Sequence, residues 1–306
     1  TLRLSAAEYQ AWVEILERSM TGAESEIDTT MEPIEVSGIR VSGEAAGDPE
    51  RWQSLLDLAD STGINAFVVD VKDEHGTVFH DTDVEPAHDA SAVTLQYVLN
   101  DVIADMEEHN LYKIARVLAF QDTPMATTET DHAVLSAGGA DLWRTRNGDA
   151  WMDPTDPVSF EYPVALAEEA CLAGFDEIQF DYVRFPTSDA ASRLKPQTQA
   201  ERTNAIASFL TEARRLLHPM GCAVSADIFG IVLSSPDDQG IGQRPEDVAA
   251  IVDAVSPMIY PSHYSDGWLG FPRPNDHPGP VVADALDAGI PRLAAATLMR
   301  WRMPLE

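Results

Sequence analysis

The chain has 306 residues, enough for one large α/β barrel or two ordinary domains, and 44% of them are hydrophobic, so a substantial core can form. Twenty Lys plus Arg stand against 51 Asp plus Glu, a formal net charge of -31. That balance excludes nucleic acid held by phosphate neutralisation and argues against docking on an anionic membrane, and no apolar run approaches the roughly 18 residues of a membrane span.

Residues Ser5 to Met20 form an amphipathic pattern, with Trp12, Ile15 and Leu16 on one side and Glu14, Glu17 and Arg18 on the other. Ser5 followed by Glu8 has capping-box form. A polar linker follows. The sequence therefore divides into an N-terminal helix and linker, 1–34, and a main domain, 35–306. From residue 34 strands and helices alternate. Strands are predicted over Ile34–Ser42, Ile64–Val71, Tyr112–Phe120, Glu177–Tyr182, Cys222–Ile228, Ala254–Tyr260 and Arg292–Met299. Helices are predicted over Pro49–Ser61, Ala92–His109, Pro157–Ala173, Gln199–His218, Pro245–Val252 and Pro280–Ala288.

Apolar strands alternating with amphipathic helices imply a parallel sheet covered by helices. The count and length favour a (β/α)8 TIM barrel over a doubly wound sheet. No Gly-rich phosphate loop follows the first strand, which weakens a dinucleotide-binding reading. Seven strands are legible, so either the barrel is incomplete at its C-terminus or the N-terminal segment fills the gap.

The strands end on polar residues. The second ends Val69-Asp-Val-Lys-Asp73, the third Ala119-Phe-Gln-Asp122, the fourth Phe180-Asp-Tyr-Val-Arg184, the fifth Ser225-Ala-Asp-Ile-Phe229 and the sixth Met258-Ile-Tyr-Pro-Ser-His-Tyr264. In a parallel barrel these ends share the rim where chemistry is placed. Carboxylates clustered in one cleft repel each other, so their pKa values split, giving a proton donor and an ionised partner. Glycoside hydrolysis needs that division of labour. Asp181 and Asp227, on adjacent strands, are the expected catalytic pair. Arg184 would keep Asp181 ionised as nucleophile or charge stabiliser, and desolvation among Ala226, Ile228 and Phe229 would make Asp227 the acid/base; the reverse assignment stays open.

Asp70, Lys72, Asp122, Trp151, Tyr182, Arg184, Tyr260 and His263 are the expected substrate contacts. Asp70 and Lys72 are as well suited to an ion pair with each other. Trp143, Trp151 and Trp268 fall in loop-like sequence, where rings either stack on sugar faces or form satellite cores. Neither the histidines nor the cysteines show metal-ligand spacing. No metal and no cofactor is expected; metal-assisted hydrolysis through Asp70, Asp73 and Asp122 is the weaker alternative. Cys171 and Cys222, the only cysteines, are expected to be buried free thiols. Oligomeric state is not legible. Compartment is not fixed either, with the extracellular side or cell surface favoured for a polysaccharide substrate. The Lys-poor, acid-rich composition suits either solubility in high salt or a high-GC genome.

Several blocks of text together resemble a known family. They are Gly38-Ile-Arg-Val, Asn65 to Asp73, Ile114-Ala-Arg116, Trp151-Met-Asp-Pro154, Gly174 to Pro186 with its Phe-Asp-Tyr-Val-Arg-Phe-Pro core, Ser225 to Gly230, and Ser256 to Tyr264. In this order they resemble the inferred glycoside hydrolases of bacteria and archaea, long treated as a TIM-barrel domain of unknown function. The resemblance implies a carbohydrate-active enzyme with Asp181 central. Where that family carries an Arg-Pro-Trp-Leu-Gln-like segment on strand seven, this chain reads Arg300 to Glu306, a distorted echo. That departure motivates the rival expectation of a non-catalytic carbohydrate-binding protein on a degenerate barrel.

Overall fold

The structure, a computed structural model, describes residues 35–139, 141–187 and 197–294, which belong to one compact unit beginning at Pro33. The expected N-terminal helix, Ser5 to Met20, and the segment Arg300 to Glu306 lie outside the described residues. Six parallel strands form one sheet in chain order: β1 Gly38–Val41, β2 Ala66–Lys72, β3 Tyr112–Leu118, β4 Glu177–Asp181, β5 Ala223–Phe229 and β6 Ala254–Met258. The helices are α1 Gly43–Gly47, α2 Pro49–Ser61, α3 Glu85–Asp89, α4 Leu99–Glu108, α5 Thr123–Thr128, α6 Val158–Ala173, α7 Gln199–Leu217, α8 Ile231–Ser234, α9 Pro245–Ala249 and α10 Pro278–Ala294. Among the described residues the architecture is a curled half-barrel of the TIM-barrel type, with β1 and β6 at its edges.

Local chemistry sets the element ends. Asp48 caps α2 by accepting from the backbone N–H groups of Glu50 and Arg51, each at 3.0 Å, with Pro49 at the first helical position. Thr198 and Glu201 close a reciprocal capping box on α7. Gly174, with φ +117°, takes the left-handed turn that ends α6 and feeds β4. The expected seventh strand is corrected at its start: Arg292, Leu293 and Ala294 finish α10, and the rest of that span lies outside the described residues. The Arg292 guanidinium donates to the carbonyls of Val232, Leu233 and Ser235 and pairs with Glu246, fastening the helix to α8 and α9.

Strand alternation sends one set of side chains outward to the helices and the other inward. Phe67, Val69, Ala115, Val117, Ile178, Phe180, Val224, Ala226 and Ile228 face the helices and join one continuous apolar core. Its centre is Phe209 of α7, whose ring lies 5.1, 5.4 and 5.0 Å from those of Phe120, Phe160 and Phe180. The inward set is Arg40, Asp70, Arg116, Glu177, Gln179, Asp181, Ser225, Asp227 and Ser256, with a small apolar group of Ala66, Val68 and Ile114 beneath.

Two expectations are overturned on the helix side. Cys171 and Cys222 are joined in a disulfide rather than free, tying α6 to the entry of β5 with their Cα atoms 6.0 Å apart. Lys72 does not share a face with Asp70. The β2–β3 pairing slips between Asp70 and Lys72, so β2 carries one extra residue there. Such a bulge breaks alternation. Lys72 therefore turns to the helix side, with Nζ 4.8 Å from the Tyr162 ring centroid and 2.6 Å from Asp122 Oδ2.

Candidate active site

Register brings the inward polar residues to one end of the sheet. Asp70 pairs with Arg116, Leu118 with Asp181, Phe180 with Ala226 and Asp227 with Ser256. Asp181 is thus level with Asp227 on the neighbouring strand, both pointing inward near the C-terminal ends of the strands. They are 4% and 5% exposed, so each keeps only a narrow opening to solvent.

Arg116 holds the centre. Its Nη1 donates to Asp70 Oδ1 at 3.0 Å, its Nε donates to Asp181 Oδ2 at 3.1 Å, and its Nη2 also donates to Asp181 Oδ2. Burial alone would lower its pKa, but Asp181, Asp70 and Asp227 together raise it. Asp70 accepts a second guanidinium, Arg40, through Nε at 3.1 Å and Nη2 at 2.7 Å. Glu74 flanks Arg40 at 3.6 Å.

Asp181 also accepts the N–H of Tyr182 at 2.6 Å. Tyr182 sits at φ +49°, a left-handed conformation that costs a residue with a side chain about 1–3 kcal/mol. Asp227 accepts from Gln179 Nε2 and from the Ser256 hydroxyl. Burial first, and the negative charge of Asp181 second, push the Asp227 pKa well above the usual carboxylate range, while Arg116 pulls it down. One carboxyl of the pair is tied to a guanidinium and its neighbour favours the protonated form.

Gln243, fully buried, secures this arrangement. Its Nε2 donates to the carbonyls of Val183 at 3.2 Å and Asp227 at 3.0 Å, and its Oε1 accepts the N–H of Phe229 at 2.9 Å. Arg184 follows, its guanidinium carbon 4.7, 4.6 and 5.2 Å from the ring centroids of Tyr182, Phe229 and Trp151. Half-buried Phe229 and Tyr260 and exposed His263 continue an aromatic rim, the His263 ring lying 6.3 and 5.0 Å from the other two.

The structure gathers Asp70, Asp181, Asp227, Tyr182, Arg184, Tyr260 and His263 at one end of the sheet. Of the other expected substrate contacts, Lys72 and Asp122 are placed elsewhere, while Trp151 lies against Tyr182 and Arg184 but is buried. Lys72 and Asp122 are fully buried and saturate each other; Asp122 also caps α5 by accepting the Met125 N–H at 2.9 Å. A Cβ on Gly76, whose φ is +84°, would come within 2.6 Å of Asp122 Oδ1, so the loop after β2 seals over this pair. Trp151 is 3% exposed, donates to the Arg184 carbonyl at 3.2 Å and meets the Trp143 ring at 5.9 Å, so these two rings form a satellite core. The expected Arg184–Asp181 ion pair is replaced by Arg116–Asp181. The metal alternative loses its donor set: Asp70 faces two guanidiniums, Asp122 a lysine, and Asp73 the N–H groups of His75 and Thr77.

Sequence reasoning missed Arg116, Arg40, Gln179 and Gln243 as working parts. For Arg116 a signal existed: a charge flanked by Ile114, Ala115, Val117 and Leu118 in a buried strand needs an acidic partner on its own face. Gln243 lies in a loop and carried no such signal.

A family model described as "Putative glycosyl hydrolase domain" matches residues 38–302. Among solved structures, a hypothetical protein from Ruminiclostridium thermocellum is 34% identical, with a TM-score of 0.57 over 62% of this chain and 96% of that one. The PgaB (BpsB) glycoside hydrolase domain from Bordetella bronchiseptica is 13% identical, with a TM-score of 0.59 over 89% of this chain and 94% of that one, a likeness of fold. No curated protein matches the chain.

Proposed function

We propose that this chain, which belongs to the family described as a putative glycosyl hydrolase domain, cleaves glycosidic bonds of a polysaccharide with Asp181 and Asp227 as its carboxylate pair. The observation that carries the reading is the asymmetry of the pair: Asp181 is salt-bridged to Arg116, whereas burial and Asp181 keep Asp227 protonated above the usual range. A protonated Asp227 gives its proton to the leaving-group oxygen. Asp181, paired with Arg116, faces the positive charge that develops at the anomeric carbon. Adjacent strands lie about 4.8 Å apart, and two side chains level on one face start from that spacing. It suits the roughly 5 Å separation of retaining enzymes, in which Asp181 attacks the anomeric carbon and Asp227 then activates water. The disulfide fits an oxidising compartment, where polymers are met outside the cell.

A non-catalytic sugar-binding barrel is the rival. It has no use for a proton donor held beside an ion-paired carboxylate, so the split between Asp181 and Asp227 weighs against it. The test is product analysis on a polysaccharide panel with the parent, Asp181→Asn and Asp227→Asn. Hydrolysis by the parent, reduced at least 10²–10³-fold in each variant with far-UV circular dichroism unchanged, is expected. Binding without cleavage by the parent, or near-parental hydrolysis by Asp181→Asn, overturns it.

A further inference from the structure

Four cations stand at the C-terminal ends of these strands. Three are matched: Arg40 by Asp70, Lys72 by Asp122, and Arg116 by both Asp70 and Asp181. Arg184 is not. Among the described residues it forms no ion pair, and its one hydrogen bond runs from Nη1 to the carbonyl of its own neighbour Phe185, at 3.0 Å. A guanidinium has five N–H donors in a fixed fork, so most of its hydrogen-bonding capacity is unspent. Arg184 is only 6% exposed, and burial lowers its pKa, with Tyr182 and Asp181 opposing that fall. Holding an under-compensated charge out of water is expensive. The three rings around it recover part of that cost through cation–π attraction, but they leave Nε and Nη2 without an acceptor among the described residues.

Position says what the missing acceptor belongs to. Arg184 is three residues beyond Asp181 and stacks on Tyr182 and Phe229, which flank the carboxylate pair on β4 and β5. A sugar seated against this rim would bring a ring substituent onto the fork. We propose that Arg184 is a subsite for a carboxylate and that the glycan cut at Asp181 and Asp227 carries an acidic sugar of the uronic acid type. The planar fork matches a carboxylate bidentately, a geometry a neutral hydroxymethyl group cannot use. The net charge of -31 repels a densely anionic polymer at long range, so the fitting class is a glycan in which acidic sugars are spaced among neutral ones. This inference rests on the glycosidase reading.

The experiment uses the full chain at moderate salt and calorimetric titration. The ligands are mixed oligosaccharides containing glucuronate or galacturonate, each paired with its carboxyl-reduced neutral counterpart. The parent should bind acidic members at least tenfold more tightly than the reduced ones. Arg184→Met should abolish that preference, and Arg184→Lys, which keeps the charge but loses the fork, should restore only part of it. The comparison between ligands on the parent stands even where a variant does not fold. Equal affinity for both members of each pair, tighter binding of the neutral one, or no binding of any acidic member overturns the proposal and makes Arg184 a structural cation–π clamp. Hydrolysis is read separately. Selective binding of the acidic member without cleavage sinks the hydrolase reading and leaves the subsite standing, while cleavage without preference does the reverse.

Discussion

On the helix-facing side of the sheet, Phe67, Val69, Phe180, Val224 and Ile228 need only be apolar and of suitable size. On the other side the same strands present Asp70, Arg116, Asp181 and Asp227, each held by a named partner. The first face is built from many weak, interchangeable contacts, the second from a few strong, specific ones. Burial stabilises the outer face directly. On the inner face burial is a cost that only pairing offsets. The half-barrel thus keeps its fold on one side of each strand and its chemistry on the other, and perturbing the two should leave different signatures.

Phe209→Ala and Arg116→Met set that contrast most sharply. Phe209 is fully buried among three aromatic rings, and its truncation should cost about 3–5 kcal/mol. Arg116→Met takes the shared donor from Asp70 and Asp181, leaving Asp70 on Arg40 alone and Asp181 without its guanidinium, also at a cost of about 3–5 kcal/mol. The sizes are alike, but the pH responses are not. Arg116 pulls the Asp227 pKa down, so without it Asp227 holds its proton to higher pH and the Arg116→Met deficit should shrink toward low pH. The Phe209→Ala deficit should stay flat. Urea unfolding of both variants between neutral and acidic pH checks this, and parallel curves would erase the distinction between the faces.

A smaller loss follows from opening the disulfide. Cys171 and Cys222 are 51 residues apart, and their bond lies at the entry of β5, away from the carboxylate end. Cys171→Ala with Cys222→Ala should lower stability by about 2–4 kcal/mol. Below the melting temperature, the rate and affinity of the inner face should stay as in the parent. A change in hydrolysis at temperatures where the variant is fully folded would show the two ends of the barrel to be coupled.

How much of this was legible before the fold was known follows the same divide. The outer face is readable because the apolar run Ala66 to Val69 and the alternation Ile178-Gln-Phe180 announce buried strands, and the helix Pro49–Ser61 is legible to the residue. Asp181 and Asp227 are legible from their positions at the ends of adjacent parallel strands. What failed was partner choice. Asp70 and Lys72 share one strand end in the sequence, and a single extra residue in β2 sends Lys72 to the other side. Arg184 was assigned to Asp181 by nearness in sequence, yet Arg116, 65 residues away, takes that carboxylate. Pairing on the inner face depends on register between strands, which no stretch of sequence displays by itself. The disulfide was missed for the same reason, since Cys171 and Cys222 meet only once α6 is folded back on β5.

The subtlest effect expected is a gain. Burial first, then the charge on Asp181, hold the Asp227 pKa above its unfolded value. A carboxyl raised in this way contributes its stability fully below the unfolded pKa and loses it as pH rises through the folded pKa. Asp227→Asn carries no titrating proton there, and its amide can still accept from Gln179. The variant should therefore match the parent at acidic pH and exceed it by a margin that grows until pH reaches the folded pKa, where the parent's hydrolysis begins to fall as its proton donor is lost. Melting temperatures of the two proteins across pH, set beside the parent's rate profile, measure both slopes. If the stability gap levelled off at one pH and the rate fell at another, the group that strains the inner face would not be the group that gives the proton. The assignment of Asp227 as acid would then fail even with the fold intact.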